Sequence, residues 1–366
     1  MKIILDSIIF SLQKQGGISI YWKELAKRIH DDRYFDYLLI LYPKNNNVNQ
    51  EEILNLNEEK GRNKIIIKPL LPIFILRFLP FLGKLPKSEI FHSSYQSYLI
   101  GKSSLNIITV HDLGYERGIT QRGIKRVLNL FFKYFSLIKA DAIICISEFT
   151  KLELLKYYPF CKKKKIKVIY NGVGDEYYVL PKNGDRLIDK SEKYVLFVGT
   201  RYSYKQFNLV LKVMKHLPDY KLVLVGGGRL NSNELDEIKM QIADRFLHFE
   251  NATPNELNNL YNFSVALLYL SKYEGFGIPI VEAMKSGCPF IAFDNASIPE
   301  IAKSAGILLK NNETEFEIVK NIRMLEKDLF REPFIMNGIL EGSNYSWDKC
   351  YQETKSFYIE LLNGRS

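Results

Sequence analysis

The chain has 366 residues, 46% of them hydrophobic and 25% charged, with 22 Gly and 13 Pro scattered along it. At roughly 100–200 residues per domain there is room for two ordinary cores, and the composition excludes a disordered or fibrous chain. The formal charge of +10 sits in the first half, where residues 1–180 hold 28 Lys and Arg against 17 Asp and Glu; residues 181–366 hold 23 against 24.

Residues 1–10 read as a first strand, with Asp6 inside an apolar run and no small-residue cleavage site after it, so no leader is expected. Gln15-Gly16-Gly17-Ile18-Ser19 follows and opens a helix over 18–30, an arrangement that suits phosphate; a plain tight turn is the alternative. Strands are expected over 37–41 and 64–68. The most apolar run, 70–82, contains Pro72, Arg77 and Pro80 and is well short of the ~20 residues a spanning helix needs. Within 68–87, aromatic and aliphatic residues lie among Arg77, Lys84 and Lys87. Together with Lys162 to Lys165 and Lys167, this segment suits docking on an anionic membrane face. A core helix beside a solvated lysine loop is the other reading. No nucleic-acid-binding motif is found, so nucleic acid is not expected as a partner.

Strands over 90–92, 107–111, 142–146 and 167–170 alternate with a helix over 122–139. His111-Asp112 ends one strand, and Ser147-Glu148 after the next reads as a helix cap. Residues 172–193 are polar, contain Pro181 and Gly184 and read as a linker. The pattern then restarts: strands over 194–198, 221–225, 247–249, 265–270 and 289–292, helices over 206–216, 233–243, 255–262 and 278–286. A final helix over 348–362 follows Trp347 and is expected to pack back on the first half. The implied fold class is α/β, two Rossmann-like doubly wound domains whose strand ends face a central cleft. The expected organisation is a first domain over 1–175, a linker over 176–193, a second domain over 194–345 and the returning helix over 346–366. Cys145, Cys161, Cys288 and Cys350 are too few and too scattered for a disulfide framework or a zinc site.

The strongest chemical signal is Glu274-Gly275-Phe276-Gly277-Ile278-Pro279-Ile280-Val281-Glu282, placed between a strand and a helix. Glycines free the backbone to turn around a ligand, Pro279 suits a first helical turn, and the exposed N–H groups there favour phosphate. Glu274 reaches hydroxyls on one side of such a phosphate and Glu282 a ribose on the other. Compensating cations are at hand in Gly199-Thr200-Arg201-Tyr202-Ser203-Tyr204-Lys205, a planar fork and a point charge suited to a departing diphosphate. Neither Gly16-Gly17 nor Gly226-Gly227-Gly228 completes the dinucleotide-binding pattern.

These residues resemble the GT-B glycosyltransferases of carbohydrate-active family four (group 1). The marker is a Glu, seven residues and a second Glu, met by Glu274 and Glu282. It is supported by Gly16-Gly17, His111-Asp112, the Ile-Ser-Glu-Phe stretch at Ile146 to Phe149, the Tyr-Asn-Gly-Val stretch at Tyr170 to Val173, and the Val-Gly-Thr-Arg turn with Lys205. The resemblance implies that the domain over 1–175 binds acceptor and the domain over 194–345 binds nucleotide sugar, that Glu274 contacts the donor sugar, that Gly275, Phe276, Gly277 and Ile278 with Arg201 and Lys205 hold the diphosphate, and that Glu282 holds the ribose. It implies a base site near Asn251, and Gly16, Gly17 and His111 facing the transferred sugar, with His111 and Glu274 as catalytic residues. It also implies retention of configuration without a metal or other cofactor, the nucleotide sugar being substrate. One departure is Gln206, where the family commonly has Gly or Asn. The variants look most like mannosyltransferase-type branches of surface-polysaccharide synthesis, which favours a GDP-linked donor, a lipid-linked or polysaccharide acceptor, and a cytoplasmic protein peripheral on the inner membrane face. Alternatives on the same fold are a sugar-nucleotide epimerase and an inactive scaffold. A glycoside hydrolase is disfavoured by a phosphate cradle between the carboxylates.

Overall fold

Apolar runs of three to six residues, many of them buried on both faces, form two sheets in which every strand pair is parallel. The computed structural model describes residues 1–13, 16–42, 47–56, 62–66, 72–77, 79–81, 85–101, 104–119 and 123–364. It divides into two units, Met1–Gly172 with Trp347–Ser366, and Val173–Ser346.

In the first unit the order is β1 (Lys2–Asp6), α1 (Ile9–Leu12), α2 (Gly17–Asp31), β2 (Asp36–Leu41), α3 (Val48–Leu54), β3 (Arg62–Ile66), α4 (Ile73–Leu76), β4 (Ile90–Ser93), β5 (Leu105–Val110), α5 (Ile124–Lys139), β6 (Ala142–Cys145), α6 (Glu148–Tyr157), a 3-10 turn (Pro159–Lys163) and β7 (Lys165–Val168). The sheet order β3-β2-β1-β4-β5-β6-β7 reverses direction between β1 and β4. In the second unit the order is β8 (Lys193–Val198), a 3-10 turn (Ser203–Lys205), α7 (Phe207–Lys215), β9 (Tyr220–Val225), α8 (Ser232–Ile242), β10 (Phe246–Phe249), α9 (Pro254–Phe263), β11 (Ala266–Tyr269), α10 (Ile278–Lys285), β12 (Phe290–Phe293), α11 (Ile298–Ala302), β13 (Ile307–Leu309), α12 (Glu315–Met324) and α13 (Asp328–Gly342). Its order β10-β9-β8-β11-β12-β13 reverses between β8 and β11. Such switch points open a crevice at the carboxyl ends of the strands, which is where a ligand enters an open parallel sheet.

The last helix, α14 (Trp347–Asn363), returns to the first unit. Trp347, Tyr351, Phe357, Tyr358 and Leu361 join the core cluster built on β1, β2 and α2. Burying side chains of this size contributes about 1.5–3 kcal/mol each. The polar contacts at its edge, Arg28 Nε to Asp348 at 2.7 Å and Lys355 Nζ to Asp32 at 2.6 Å, add less, because exposed ion pairs are worth about 0–1 kcal/mol.

One expectation changes. The first strand stops at Asp6 and residues 9–12 are helical, since a fully buried apolar run carries no periodicity to separate strand from helix. Within 68–87 the described side chains divide between core and surface, with Ile75 and Lys87 exposed and the Phe74 side chain outside the description. Ile73, Leu76, Phe81 and Leu85 pack against a core cluster with Ile4, Ile40 and Phe91, and the Arg77 guanidinium lies 5.7 Å from the Tyr95 ring centre. Lys68, Phe78, Leu82 and Lys84 lie outside the described residues, as does Gln15. All four cysteines are buried and free. Among the described residues no helix is long and apolar enough to cross a membrane.

Candidate functional site

The second unit's switch point brings together the segments after β8 and β11. The backbone N–H of Lys272 donates to the carbonyl of Tyr204 at 2.8 Å, fastening the turn after β8 to the loop after β11. Lys205 Nζ then lies 2.5 Å from Glu274 Oε1 and 3.3 Å from the Tyr269 hydroxyl, and 4.9 Å from the Tyr269 ring centre. Both charged side chains are largely shielded, at 11% and 15% exposure, so their mutual attraction is stronger than it would be in open water. Burial, then the neighbouring Glu274 carboxylate, pushes the Tyr269 phenol far above its ordinary value, so it stays a donor to Glu274.

Gly275, Phe276 and Gly277 are buried, and Gly277 at φ +100° is the residue from which α10 starts, with Ile278 and Pro279 in the first turn. A Cβ at Gly277 would lie 3.1 Å from Ile298 Cδ1 in a backbone conformation that L-residues avoid. Ser297 Oγ, fully buried, donates to the carbonyls of Glu274 and Phe276, each at 3.0 Å, and fixes the curve of this loop. Sequence reasoning missed Ser297, which lies more than twenty residues downstream without a motif.

Arg201 is placed differently from Lys205. Its side chain is 4% exposed, with Nε on Glu234 Oε1 at 2.9 Å and the Nη groups on the carbonyls of Gly226, Gly227 and Gly228 at 3.1–3.2 Å. All three glycines have positive φ, and a Cβ at Gly227 would lie 2.5 Å from Arg201 Nη1 and 2.7 Å from the Gly199 carbonyl. The guanidinium therefore braces the glycine turn after β9, and its bond to Glu234 holds that carboxyl below the usual range. Gln206 takes φ +57°, the left-handed conformation that makes Gly or Asn common at this position. Asn251 is exposed in the turn between β10 and α9.

Glu282 points into the unit rather than outward. It is 8% exposed and accepts from the Tyr261 hydroxyl at 2.9 Å and from Tyr177. Burial pushes its carboxyl up to about 7 against these two hydrogen bonds. Both tyrosines are distant in sequence, and nothing in the motif announces them.

In the first unit, Gly16 precedes α2 with extended backbone, its carbonyl accepting from Ser19 Oγ at 2.9 Å, and Gly17 opens the helix. His111 lies just past β5, half-buried, edge-on to Tyr21 at 5.0 Å. Burial, reinforced by Lys133, pushes its imidazole down to about 3. The buried His92 on β4 is held by Tyr358 at 2.5 Å and Thr109 at 2.8 Å, and burial takes it down to about 3 as well. At the switch point itself Asp6 is fully buried and pushed up to about 6 by burial, with Ser97, Tyr42, the Ile8 N–H and Ser93 as hydrogen-bond partners. Sequence reading treated Asp6 only as an interruption. Ser147 caps α6, accepting from the Thr150 N–H at 3.0 Å.

Two family models match, one described as Glycosyltransferase Family 4 over residues 15–177 and one as Glycosyl transferases group 1 over residues 182–339. The chain is 26% identical to an uncharacterised glycosyltransferase of Methanocaldococcus jannaschii, over 99% of each chain. It is 25% identical to O-antigen chain mannosyltransferase B of Escherichia coli, over 61% of this chain and 61% of that one. Its fold is similar to that of Anabaena HepE crystallised with UDP-glucose, with a TM-score of 0.71 at 18% identity, covering 100% of both chains. With one profile matching each unit in sequence order, the chain belongs to the GT-B glycosyltransferases, family 4 in its first half and group 1 in its second.

Proposed function

We propose that the protein is a retaining, metal-independent glycosyltransferase that moves a hexose from a nucleoside-diphosphate sugar to a lipid-linked or polysaccharide acceptor at the cytoplasmic membrane face. The observation that carries this reading is the shielded Lys205–Glu274 pair, set beside the N-terminus of α10 at the switch point of the second unit. In that reading the first unit binds acceptor and the second binds donor. The diphosphate takes the N–H groups of Gly277 and Ile278, and draws Lys205 away from Glu274. Glu274 is then released to accept from donor-sugar hydroxyls, and the ribose hydroxyls meet Glu282. Arg201 supports the diphosphate site by holding the glycine turn, Asn251 borders the base, and Gly16, Gly17 and His111 face the sugar.

The bond from the anomeric carbon to the diphosphate oxygen breaks, and a bond from the acceptor hydroxyl to that carbon forms on the same face. The acceptor proton passes to the departing diphosphate, whose growing negative charge is met by Lys205 and the helix N-terminus. A neutral His111 donates or accepts a hydrogen bond without bringing a charge to the sugar. The match to O-antigen mannosyltransferases supports GDP-mannose over a UDP-sugar and a surface-polysaccharide acceptor. The test is a thermal-shift panel of GDP- and UDP-linked sugars without added metal, repeated on Glu282→Ala and Glu274→Ala. Selective stabilisation by one nucleotide, lost in Glu282→Ala, supports the assignment; stabilisation by none of them refutes it.

A further inference from the structure

α5 is built inside out. Its inward face carries Arg126, Asn129, Lys133 and Ser136 with Leu137 as its buried apolar anchor, while Ile124, Val127, Leu128, Phe131, Phe135 and Ile138 point to solvent, with exposures of 76% at Ile124, 63% at Val127 and 54% at Phe131. Three of the four polar side chains on that face are held by specific partners. Lys133 Nζ pairs with Glu116 at 3.0 Å and donates to the Asp112 carbonyl at 2.9 Å, Arg126 donates to the carbonyls of Tyr115 and Glu116, and Asn129 accepts from Tyr95. The helix cannot rotate its apolar stripe inward without losing these buried contacts.

We infer that this stripe inserts into the interfacial layer of an anionic lipid bilayer. Six bulky apolar residues along four turns of one helix form a patch larger than a lone exposed side chain requires, and aromatic rings suit the boundary between headgroups and acyl chains. The charge around the stripe selects the partner. Lys164 donates to the carbonyls of Ile138 and Ala140, and Phe160 meets Tyr134 edge-on at 5.3 Å, so the 3-10 turn after α6 lies beside the C-terminal half of α5. Lys139, Lys162, Lys163 and Lys165 are exposed there, and neither 118–140 nor 154–170 contains an acidic residue, so the exposed Asp141 beside Lys164 leaves the patch with a positive excess. A second copy packed on this face by two-fold symmetry would bring like charges together, whereas anionic headgroups neutralise them. The inference rests on the membrane-face part of the reading above and not on its donor. It assigns docking to α5 and the turn beside it instead of to 68–87, and because the inward face of α5 holds the loop that begins at His111-Asp112, docking sets that loop at the bilayer surface.

The experiment is co-sedimentation of the full chain with vesicles of phosphatidylcholine alone, or of phosphatidylcholine and phosphatidylglycerol in equal parts, beside turnover of free donor. The wild-type chain is expected on the anionic vesicles and released by salt. Phe131→Ser with Phe135→Ser should weaken binding at least tenfold, and Lys162→Glu, Lys163→Glu and Lys165→Glu together by about fivefold or more per lysine, with free-donor turnover unchanged in both. Phe131→Trp adds a readout that needs no lost contact, since the emission of the introduced indole should shift to the blue on anionic vesicles. Unchanged vesicle binding in either multiple variant, an unshifted emission spectrum in Phe131→Trp, or a wild-type dimer that the Phe131/Phe135 variant turns monomeric while still binding vesicles would overturn it. Loss of free-donor turnover with vesicle binding intact would count against the donor reading alone.

Discussion

The two units use the same parallel layering and place different groups at their switch points. In the second, Lys205 and Glu274 keep opposite charges side by side and shielded. In the first, Asp6, His92 and His111 are each pushed by burial toward the uncharged form. A pair of compensating charges can be redirected to a phosphate and a sugar, whereas uncharged groups shape a surface without attracting an anion. This difference is an argument for the proposal that the second unit takes the donor and the first the acceptor.

The sharpest way to break the comparison is Glu274→Gln, which preserves shape and removes the charge. Turnover is expected to fall about 10²–10³-fold while nucleotide affinity by calorimetry changes little; equal losses in both would remove the distinction between sugar and nucleotide contacts. Glu282→Gln tests the buried carboxyl through stability. The folded-state value near 7 lies above the ordinary 4.5, so the wild-type stability contribution is full below pH 4.5 and is lost as pH rises through 7, by about 3 kcal/mol. The variant lacks this loss, so its stability relative to wild type should rise between pH 5 and pH 8 in urea titrations; Asp6 contributes equally to both proteins and cancels. Arg201→Ala should cost about 2 kcal/mol in the same assay by freeing the glycine turn and leaving Glu234 without its partner. Gln206→Gly should add about 0.5–1 kcal/mol by relieving a left-handed residue, less whatever its side-chain bond to the Ser203 carbonyl contributes. The smallest effect belongs to the first unit: with His111 near 3, the pH profile of turnover should show no inflection between pH 5 and pH 8 that His111→Asn removes.

The strands were legible in the sequence because buried parallel strands are short apolar runs, and β2, β6 and β11 were read to within a residue. β13 has three residues, and α13 carries Pro333 and exposes Leu329, Met336 and Leu340, so neither shows the period that marks an element. At the site, the spacing within one loop was readable as a strand-to-helix turn, with Glu274 before α10 and Glu282 inside it. Contacts made across the fold were not, which is why Ser297, Tyr261, Tyr177 and Asp6 escaped. The basic, apolar character of the first half was read at 68–87, and the outward apolar stripe of α5 was not, because a helix with its apolar side outward has the same sequence period as one with it inward.

The route of the chain has a consequence for synthesis. The second unit is one continuous stretch, Val173–Ser346, and can close its core as soon as that stretch has left the ribosome. The first unit cannot, although most of it is made earlier: the pocket between its sheet and α2 stays open until Trp347, Tyr351 and Tyr358 arrive, and His92 waits for the hydroxyl of Tyr358. The half translated first is thus the half completed last, and a stop codon near residue 346 would leave a finished second unit attached to a first unit with an exposed apolar gap.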